Sequence, residues 1–256
     1  MAPRSCGFPC LAAPLDMFYP TPQWNLINYK KDETHKSKFM KMSLPFQPCS
    51  SMCISGQTGS GKTRFVYRFL THLDAMYGGA PPKNILYCYG IHQPLFDDME
   101  RKFINLKLHH GLPSTETIDE LTSERQHALI VLDDLMHRVV QNTDMEVLFT
   151  QGCHHRRLSV IFITQNLFPR GSKSRTIALN TYYLILMKNA RDVSQVTTLS
   201  RQLYPGNSRL LVEAYRDATK QPFGYLVIDT SPKTGDKYRL RTNVFPGEDP
   251  VVYSIL

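Results

Sequence analysis

The sequence predicts an α/β fold in which helices cover both faces of a central, mostly parallel β-sheet and so make three layers. Two stretches predict this fold. Residues 51–55 form a short apolar strand, residues 56–63 a glycine-rich loop, and residues 64–70 carry apolar side chains at helical spacing. Residues 128–132 are a near-continuous apolar run, which is typical of a central parallel strand buried on both faces. With 256 residues, 42% of them hydrophobic, the chain can bury one full core.

The glycine-rich loop fits the phosphate-binding pattern G-x-x-x-x-G-K-[ST] at every fixed position. Glycines let backbone N–H groups approach a triphosphate, and the helix that follows adds a favourable dipole. In this pattern Lys62 reaches the β- and γ-phosphates of ATP, and the Thr63 hydroxyl binds Mg²⁺. The loop therefore predicts a P-loop NTPase, whose nucleotide-binding residues are Gly56, Gln57, Thr58, Gly59, Ser60, Gly61, Lys62 and Thr63.

Two acids directly follow the apolar strand 128–132. Open α/β sheets bind ligands at the carboxyl ends of their strands, so we expect Asp133 to hold Mg²⁺ through a water molecule and Asp134 to orient or deprotonate the attacking water. About seventy residues separate Lys62 from Asp133, and they contain a complete additional strand. A strand added between the P-loop strand and the acidic strand is the organisation of motor-type, RecA- and FtsK-like ATPases.

The other elements are assigned from apolar periodicity and from the glycines and prolines at their ends. We expect strands over residues 84–89, 158–164, 182–187 and 224–229, and helices over residues 94–103, 117–125, 142–152, 192–204 and 209–219. The strand 224–229 is the last one expected.

The ATPase domain is expected to span residues 46–230, with a tail on each side. Residues 1–45 are rich in proline, polar residues and lysine, which predicts a basic and partly disordered tail. This tail is either an arm that contacts DNA or a capsid, or a solubilising segment. Residues 231–256 predict a polar C-terminal tail that packs on the domain or extends from it.

Charge and cysteine content favour some partners and compartments over others. A net charge of +8 favours a polyanionic partner such as double-stranded DNA, although a solvated basic face gives the same composition. The six cysteines show no C-x-x-C pair and no zinc-type histidine spacing, which predicts reduced thiols in an intracellular protein. The sequence has no run of about 18 apolar residues, so we expect no membrane span and no membrane partner.

A polar amide, Gln165, follows the predicted strand 158–164. If that strand lies beside the acidic strand, the amide can contact both the attacking water and the γ-phosphate and can report hydrolysis to the rest of the subunit. The alternative is that the Gln165 amide only forms hydrogen bonds with nearby backbone groups that have no other partner.

Nine blocks of sequence, in a fixed order, carry a resemblance to a known family. They are residues 56–63, 87–90, 111–113, 132–135, 154–156, 158–161, 165–168, 188–192 and 245–247. In these blocks the chain resembles the genome-packaging ATPases of the poxvirus type, a viral branch of the FtsK and HerA motor superfamily. The versions most similar to it are those of Maverick or Polinton-like elements and of adintovirus-like genomes.

This resemblance implies an ATP-driven, homo-oligomeric ring that threads double-stranded DNA into a preformed capsid. It also implies the roles given above to Asp133, Asp134 and Gln165. Many motor ATPases carry Glu at the position of Asp134, and the shorter side chain requires a closer water. The implied partners are a viral capsid or portal vertex. The implied location is the host cell, in its nucleus or a cytoplasmic virus factory, with the virion as a further site.

A ring motor also implies an arginine that one subunit supplies to the transition state of its neighbour. Arg156 is the first candidate because it precedes the strand that carries Gln165. The alternatives are Arg157, Arg191 and Arg201, and each of these can also be an ordinary surface arginine. We interpret His154 and His155 as structural or interface residues, because no partner set with metal-ligand spacing accompanies them.

Two other functions are compatible with a P-loop. A nucleotide or small-molecule kinase would need an arginine-rich lid, and the sequence shows none of that kind. A non-hydrolysing, ATP-gated DNA-binding or capsid-scaffold protein would bind ATP without releasing phosphate.

Overall fold

The computed structural model describes residues 44–124, 126–149 and 156–254. The strands in these residues are β1 (Ser51–Ser55), β2 (Asn84–Tyr89), β3 (Leu106–His110), β4 (Ala128–Asp133), β5 (Leu158–Thr164), β6 (Tyr183–Met187), β7 (Tyr225–Asp229), β8 (Leu240–Thr242) and β9 (Val251–Tyr253). They form one sheet in the order β3-β2-β4-β5-β1-β6-β7-β8-β9. The pairs from β3 through β6 are parallel, and the pairs from β6 through β9 are antiparallel. The expected mostly parallel α/β sheet is confirmed.

The helices in the described residues are α1 (Lys62–Thr71), α2 (Leu73–Met76), α3 (Pro94–Lys102), α4 (Thr115–Thr122), α5 (Met136–Val139), α6 (Thr143–Val147), α7 (Ser174–Leu179), α8 (Ser194–Leu203) and α9 (Ser208–Ala218). Side chains alternate along each strand, so the sheet has an apolar core on each face. Helices α1, α2 and α3 cover one core, and α4 through α9 cover the other, which makes the three expected layers. None of the described helices combines the length and apolarity needed to cross a membrane.

The order of the central strands brings the functional segments together. Strand β5 lies between the P-loop strand β1 and the acidic strand β4, and Ser55 is level with Thr164 in the parallel register. Asp133 is level with Ile163 on the other side of β5. The carboxyl ends of parallel strands lie on the same side of the sheet. The P-loop after β1, Asp133 at the end of β4 and Gln165 after β5 therefore lie together on that side.

The sequence did not predict strand β3. Its five residues, LKLHH, contain only two apolar side chains. The strand lies at the edge of the strand order, where Lys107 and His110 are exposed and His109 is half-buried. A short edge strand of this kind lacks the continuous apolar run that marks a central strand.

The expectation that β7 is the last strand was wrong, because β8 and β9 extend the same sheet after Thr230. Each of these strands has only three residues, too few to show a period. Because Arg241 in β8 is charged, the sequence alone predicts that it is exposed to solvent. In the structure it is buried against Asp229. The polar residues after Thr230 therefore contribute to the sheet.

Several expectations fall outside the described residues. The predicted tail 1–45 does so except for Leu44 and Pro45, as do His154, His155 and the predicted helix end at Gly152. Helix α6 begins next to Asn142, the first residue of the predicted helix, whose side-chain oxygen accepts hydrogen bonds from the N–H groups of Asp144 and Met145.

Candidate nucleotide-binding site

The P-loop closes tightly over the ends of β1 and β6. Gly59 and Gly61 have φ values of 79° and 95°, in the left-handed region that favours glycine. A Cβ on Gly56 would lie 2.7 Å from Ser60 Oγ and 2.9 Å from Met187 Cβ, so no side chain fits there. The buried Ser60 hydroxyl has no hydrogen-bond partner among the described residues. The loop thus keeps the Ser60 hydroxyl available as a donor for a ligand.

The ammonium of Lys62 lies against the same loop. Its Nζ donates hydrogen bonds to the carbonyl oxygens of Gly56, at 2.8 Å, and Gln57, at 2.9 Å. Partial burial lowers the pKa of Lys62, and the carboxylates of Asp133 and Asp134 oppose this shift. The ammonium is therefore held on the P-loop, where it interacts electrostatically with two acids.

Asp133 connects the acidic strand to the P-loop helix. Its Oδ2 lies 3.3 Å from Thr63 Oγ1, at the start of α1, and accepts a 2.7 Å hydrogen bond from the Tyr87 hydroxyl. Burial raises the pKa of the Asp133 carboxyl, while the hydrogen bonds from Tyr87 and Thr63 oppose the shift. Burial beside this carboxylate raises the pKa of the Tyr87 phenol well above its ordinary value, so Tyr87 stays a donor.

The chemistry of these donors fits Mg²⁺. The Thr63 hydroxyl and the Asp133 carboxylate are the hard oxygen ligands that Mg²⁺ prefers, and they lie together beside the phosphate-binding loop. Mg²⁺ bound at an NTPase site of this kind keeps several waters and takes its other ligands from phosphates. Thr63 and Asp133 would therefore suffice as the protein's contribution.

Asp134 has a different environment from Asp133. Its side chain is exposed, and its φ of 56° is unusual for a non-glycine residue, although aspartate tolerates this region better than most. Its negative charge acts to raise the pKa of both Asp133 and Lys62. The two neighbouring acids thus divide into a buried one beside Thr63 and an exposed one that can reach solvent water.

Gln165 follows β5 and touches the P-loop directly. The Thr58 hydroxyl donates to Gln165 Oε1 at 3.2 Å. Two residues later, the Leu167 N–H donates to Gln195 Oε1 in α8 at 2.7 Å. Gln165 and Leu167 therefore connect the P-loop to α8, whose buried residues belong to the core on the other face of the sheet from α1.

Three contacts of the site were not predicted from sequence: those of Tyr87, Gln195 and Ala190. The Ala190 N–H, in the loop after β6, donates to Gln57 Oε1 at 3.2 Å and joins that loop to the P-loop. The sequence signal for Tyr87 is its position two residues before the end of β2, because β2 pairs with the acidic strand β4. The other two contacts carry no comparable signal, since they depend on how distant loops meet.

Arg156 does not lie near the P-loop of the same chain. It precedes β5, at the edge of the sheet opposite the P-loop, and its guanidinium pairs with Asp119 at 2.5 Å. Arg191 instead lies in the loop after β6, next to Ala190. Arg201 is near the end of α8 and Arg157 immediately precedes β5. A role for any of them in a neighbouring subunit stays a prediction.

The sheet order, the P-loop between β1 and α1 and the acid at the end of β4 define the chain as having a P-loop NTPase fold. Over 82% of this chain and 100% of the other, the structure is similar to the genome-packaging NTPase B204 of Sulfolobus turreted icosahedral virus 2, solved with ATP-gammaS, with a TM-score of 0.50 and 9% identity. At that identity the likeness concerns the fold.

Two solved structures of EssC are more distant. One contains ATPases 2 and 3 of EssC from Geobacillus thermodenitrificans, with a TM-score of 0.44 and 12% identity. The other is the cytoplasmic domain of EssC, with a TM-score of 0.41 and 13% identity. Each alignment covers 81% of this chain and 39% of the EssC chain. No protein-family model matches the sequence, and no curated protein is significantly similar to it.

The Tyr87 hydroxyl orients the predicted Mg²⁺ ligand, so we expect Tyr87→Phe to weaken Mg²⁺ binding. Loss of a hydrogen bond to a metal ligand typically lowers metal affinity or activity by about 10- to 100-fold. The measurement is the Mg²⁺ concentration that half-saturates nucleotide binding. Tyr183→Phe is the matched control, because that buried hydroxyl accepts from the Gln47 N–H at the opposite edge of the sheet. Equal Mg²⁺ requirements in the two variants would contradict the role of Tyr87.

Proposed function

We propose that the chain is an ATP-hydrolysing motor that translocates double-stranded DNA and packages a viral or virus-derived genome into a capsid. The observation that carries the proposal is the 3.3 Å approach of Thr63 and Asp133, with Lys62 and Gln165 both in contact with the P-loop. The fold likeness to a viral genome-packaging NTPase and the nine sequence blocks support the packaging role.

Hydrolysis requires the triphosphate, a metal ion and one water to be held in line. Bound to Thr63 and Asp133, Mg²⁺ would neutralise charge on the β- and γ-phosphate oxygens. Lys62 binds the same phosphates from the loop, where its ammonium already lies. These residues together bind and orient ATP.

Asp134 and Gln165 act on the water. Gln165 orients it, and Asp134 accepts its proton as the water oxygen bonds to the γ-phosphorus. The bond from the γ-phosphorus to the oxygen that bridges to the β-phosphate breaks, and ADP leaves with that oxygen. Departure of the γ-phosphate changes the contacts of Gln165, which its loop transmits to Gln195.

The motor acts as a homo-oligomeric ring at a capsid or portal vertex inside the host cell. A neighbouring subunit supplies an arginine to the transition state, an effect worth about 10³- to 10⁵-fold in well-studied cases. DNA binds through its backbone, independently of sequence, because a net charge of +8 favours phosphate contacts.

The test is the rate of phosphate release measured against the concentration of double-stranded DNA. We expect saturable stimulation, and no activity above background in Lys62→Ala. Raising salt from about 50 to 200 mM should weaken the apparent DNA affinity by roughly 10³-fold, the loss expected for about six phosphate contacts.

Two outcomes would replace the proposal. Phosphoryl transfer from ATP to a nucleoside monophosphate would favour a kinase. Tight ATP binding without phosphate release, even with DNA and capsid or portal protein present, would favour a non-hydrolysing scaffold.

A further inference from the structure

Phe223 occupies a turn whose geometry does not suit phenylalanine. The turn joins α9 to β7 and is closed by a 3.1 Å hydrogen bond from the Gly224 N–H to the Gln221 carbonyl. Pro222 takes its second position and Phe223, with a φ of 61°, its third. Proline followed by a positive φ is the pattern of a type II turn, whose third position favours glycine or asparagine.

The phenyl ring gains little burial in return for this strain. Phe223 is 64% exposed, which places it among the most exposed large apolar residues of the described chain. The strained backbone opposes folding and the largely exposed ring contributes little to it, and glycine at this position would avoid the strain. Residues held in strained backbone conformations cluster at ligand-binding sites. The strain at Phe223 therefore indicates that its exposed ring contacts a ligand.

The ring lies against the P-loop. Its Cδ1 is 2.9 Å, and its Cγ 3.6 Å, from the place that a Cβ on Gly61 would occupy. Gly61 immediately precedes Lys62 and is the N-cap of α1. One edge of the ring therefore contacts the backbone of the phosphate-binding loop, while most of the side chain remains open to solvent.

We propose that Phe223 is the platform on which the base of the bound nucleotide stacks. If the P-loop holds the triphosphate, the base of the same nucleotide lies within reach of this loop, where the ring of Phe223 is largely exposed. Stacking uses the π-face that every base possesses, so the contact adds affinity without selecting one base strongly. The inference rests on nucleotide binding at the proposed site.

The test compares a ligand that has a base with one that lacks it. We expect Phe223→Ala to weaken Mg-ATP binding about 10-fold by calorimetry, which lies within the usual contribution of stacking one base on an aromatic side chain, roughly 5- to 150-fold. Mg-tripolyphosphate has no base, so its affinity should not change. Ile104→Ala is the control, because it removes an exposed apolar side chain far from the P-loop. Ile104 precedes β3, on the side of the sheet where the parallel strands begin.

Two further variants separate stacking from a structural role. Phe223→Gly suits the positive φ, so we expect its thermal midpoint to equal or exceed that of the wild type while its ATP affinity falls. Phe223→Trp keeps a stacking surface and should keep the affinity. Combining Phe223→Trp with Trp24→Phe, which removes the one native tryptophan, leaves position 223 as the source of tryptophan fluorescence. The fluorescence of this double variant should change with ATP and not with tripolyphosphate.

The results distinguish this inference from the proposed function. Unchanged ATP affinity in Phe223→Ala, or an equal loss for ATP and tripolyphosphate, would overturn the stacking role and leave an ATPase intact. A wild type that binds ATP without hydrolysing it would overturn the motor, while the affinities would still test the stacking. A wild type that binds neither ligand would overturn both.

Discussion

Asp134→Asn is expected to lower kcat for ATP hydrolysis by about 10²- to 10⁴-fold, the usual contribution of a general base. Asparagine keeps the size of the side chain but cannot accept the proton of the attacking water. ATP affinity should not fall, because the substitution removes a negative charge that lies close to Lys62 and the phosphates. The measurements are single-turnover phosphate release and equilibrium binding of ATP.

Two variants make this prediction specific. Asp74→Asn removes an exposed carboxylate from α2, beyond the far end of α1, and should hydrolyse ATP like the wild type. Asp134→Glu retains a carboxylate that can accept the proton, so it should keep most of the activity. Hydrolysis by Asp134→Asn at the wild-type rate would exclude Asp134 as the base.

Asp229→Ala is expected to destabilise the fold by about 3–5 kcal/mol, a large part of the 5–15 kcal/mol that is usual for a domain. Asp229 and Arg241 are both almost fully buried, and Arg241 Nη2 donates to Asp229 Oδ2 at 2.8 Å. The same guanidinium donates to the Leu44 carbonyl, and Thr234 donates to the same carboxylate oxygen. Removing the carboxylate leaves a buried charge without its counterion. Urea unfolding at neutral pH measures the loss.

The control for this ion pair lies on the same segment. Asp236 pairs with Arg239 at the surface, where its side chain is 95% exposed, so Asp236→Ala should leave stability unchanged. Replacing both partners by apolar residues, in Asp229→Leu with Arg241→Met, should cost less than Asp229→Ala alone. A loss in Asp229→Ala no larger than that in Asp236→Ala would contradict the importance of the buried pair.

The central strands were predictable because each is encoded locally. Residues 84–89 and 158–164 were assigned from short apolar runs bounded by breakers, and β2 and β5 have those bounds. The P-loop was predictable for a related reason, since its function depends on consecutive residues whose spacing is visible in the sequence. Local signals of this kind do not depend on the rest of the chain.

The edge strands and the residues around the site were not predictable in this way. Burial of Arg241 depends on Asp229, a residue of another strand, and on Leu44, nearly two hundred positions earlier. The contact of Phe223 with Gly61 likewise joins segments that are distant in sequence. Apolar periodicity treats a charged residue as exposed and cannot show which loops meet.

The sequence by itself determined the class of sheet, the phosphate-binding loop and the identity of the two acids, because backbone propensity and residue spacing act over a few neighbours. Only the tertiary structure decided that Tyr87 orients Asp133, that Gln165 touches Thr58 and that Phe223 lies on the P-loop. These contacts arise where strands and loops far apart in the chain end at one edge of the sheet, and the order of the strands determines which of them meet.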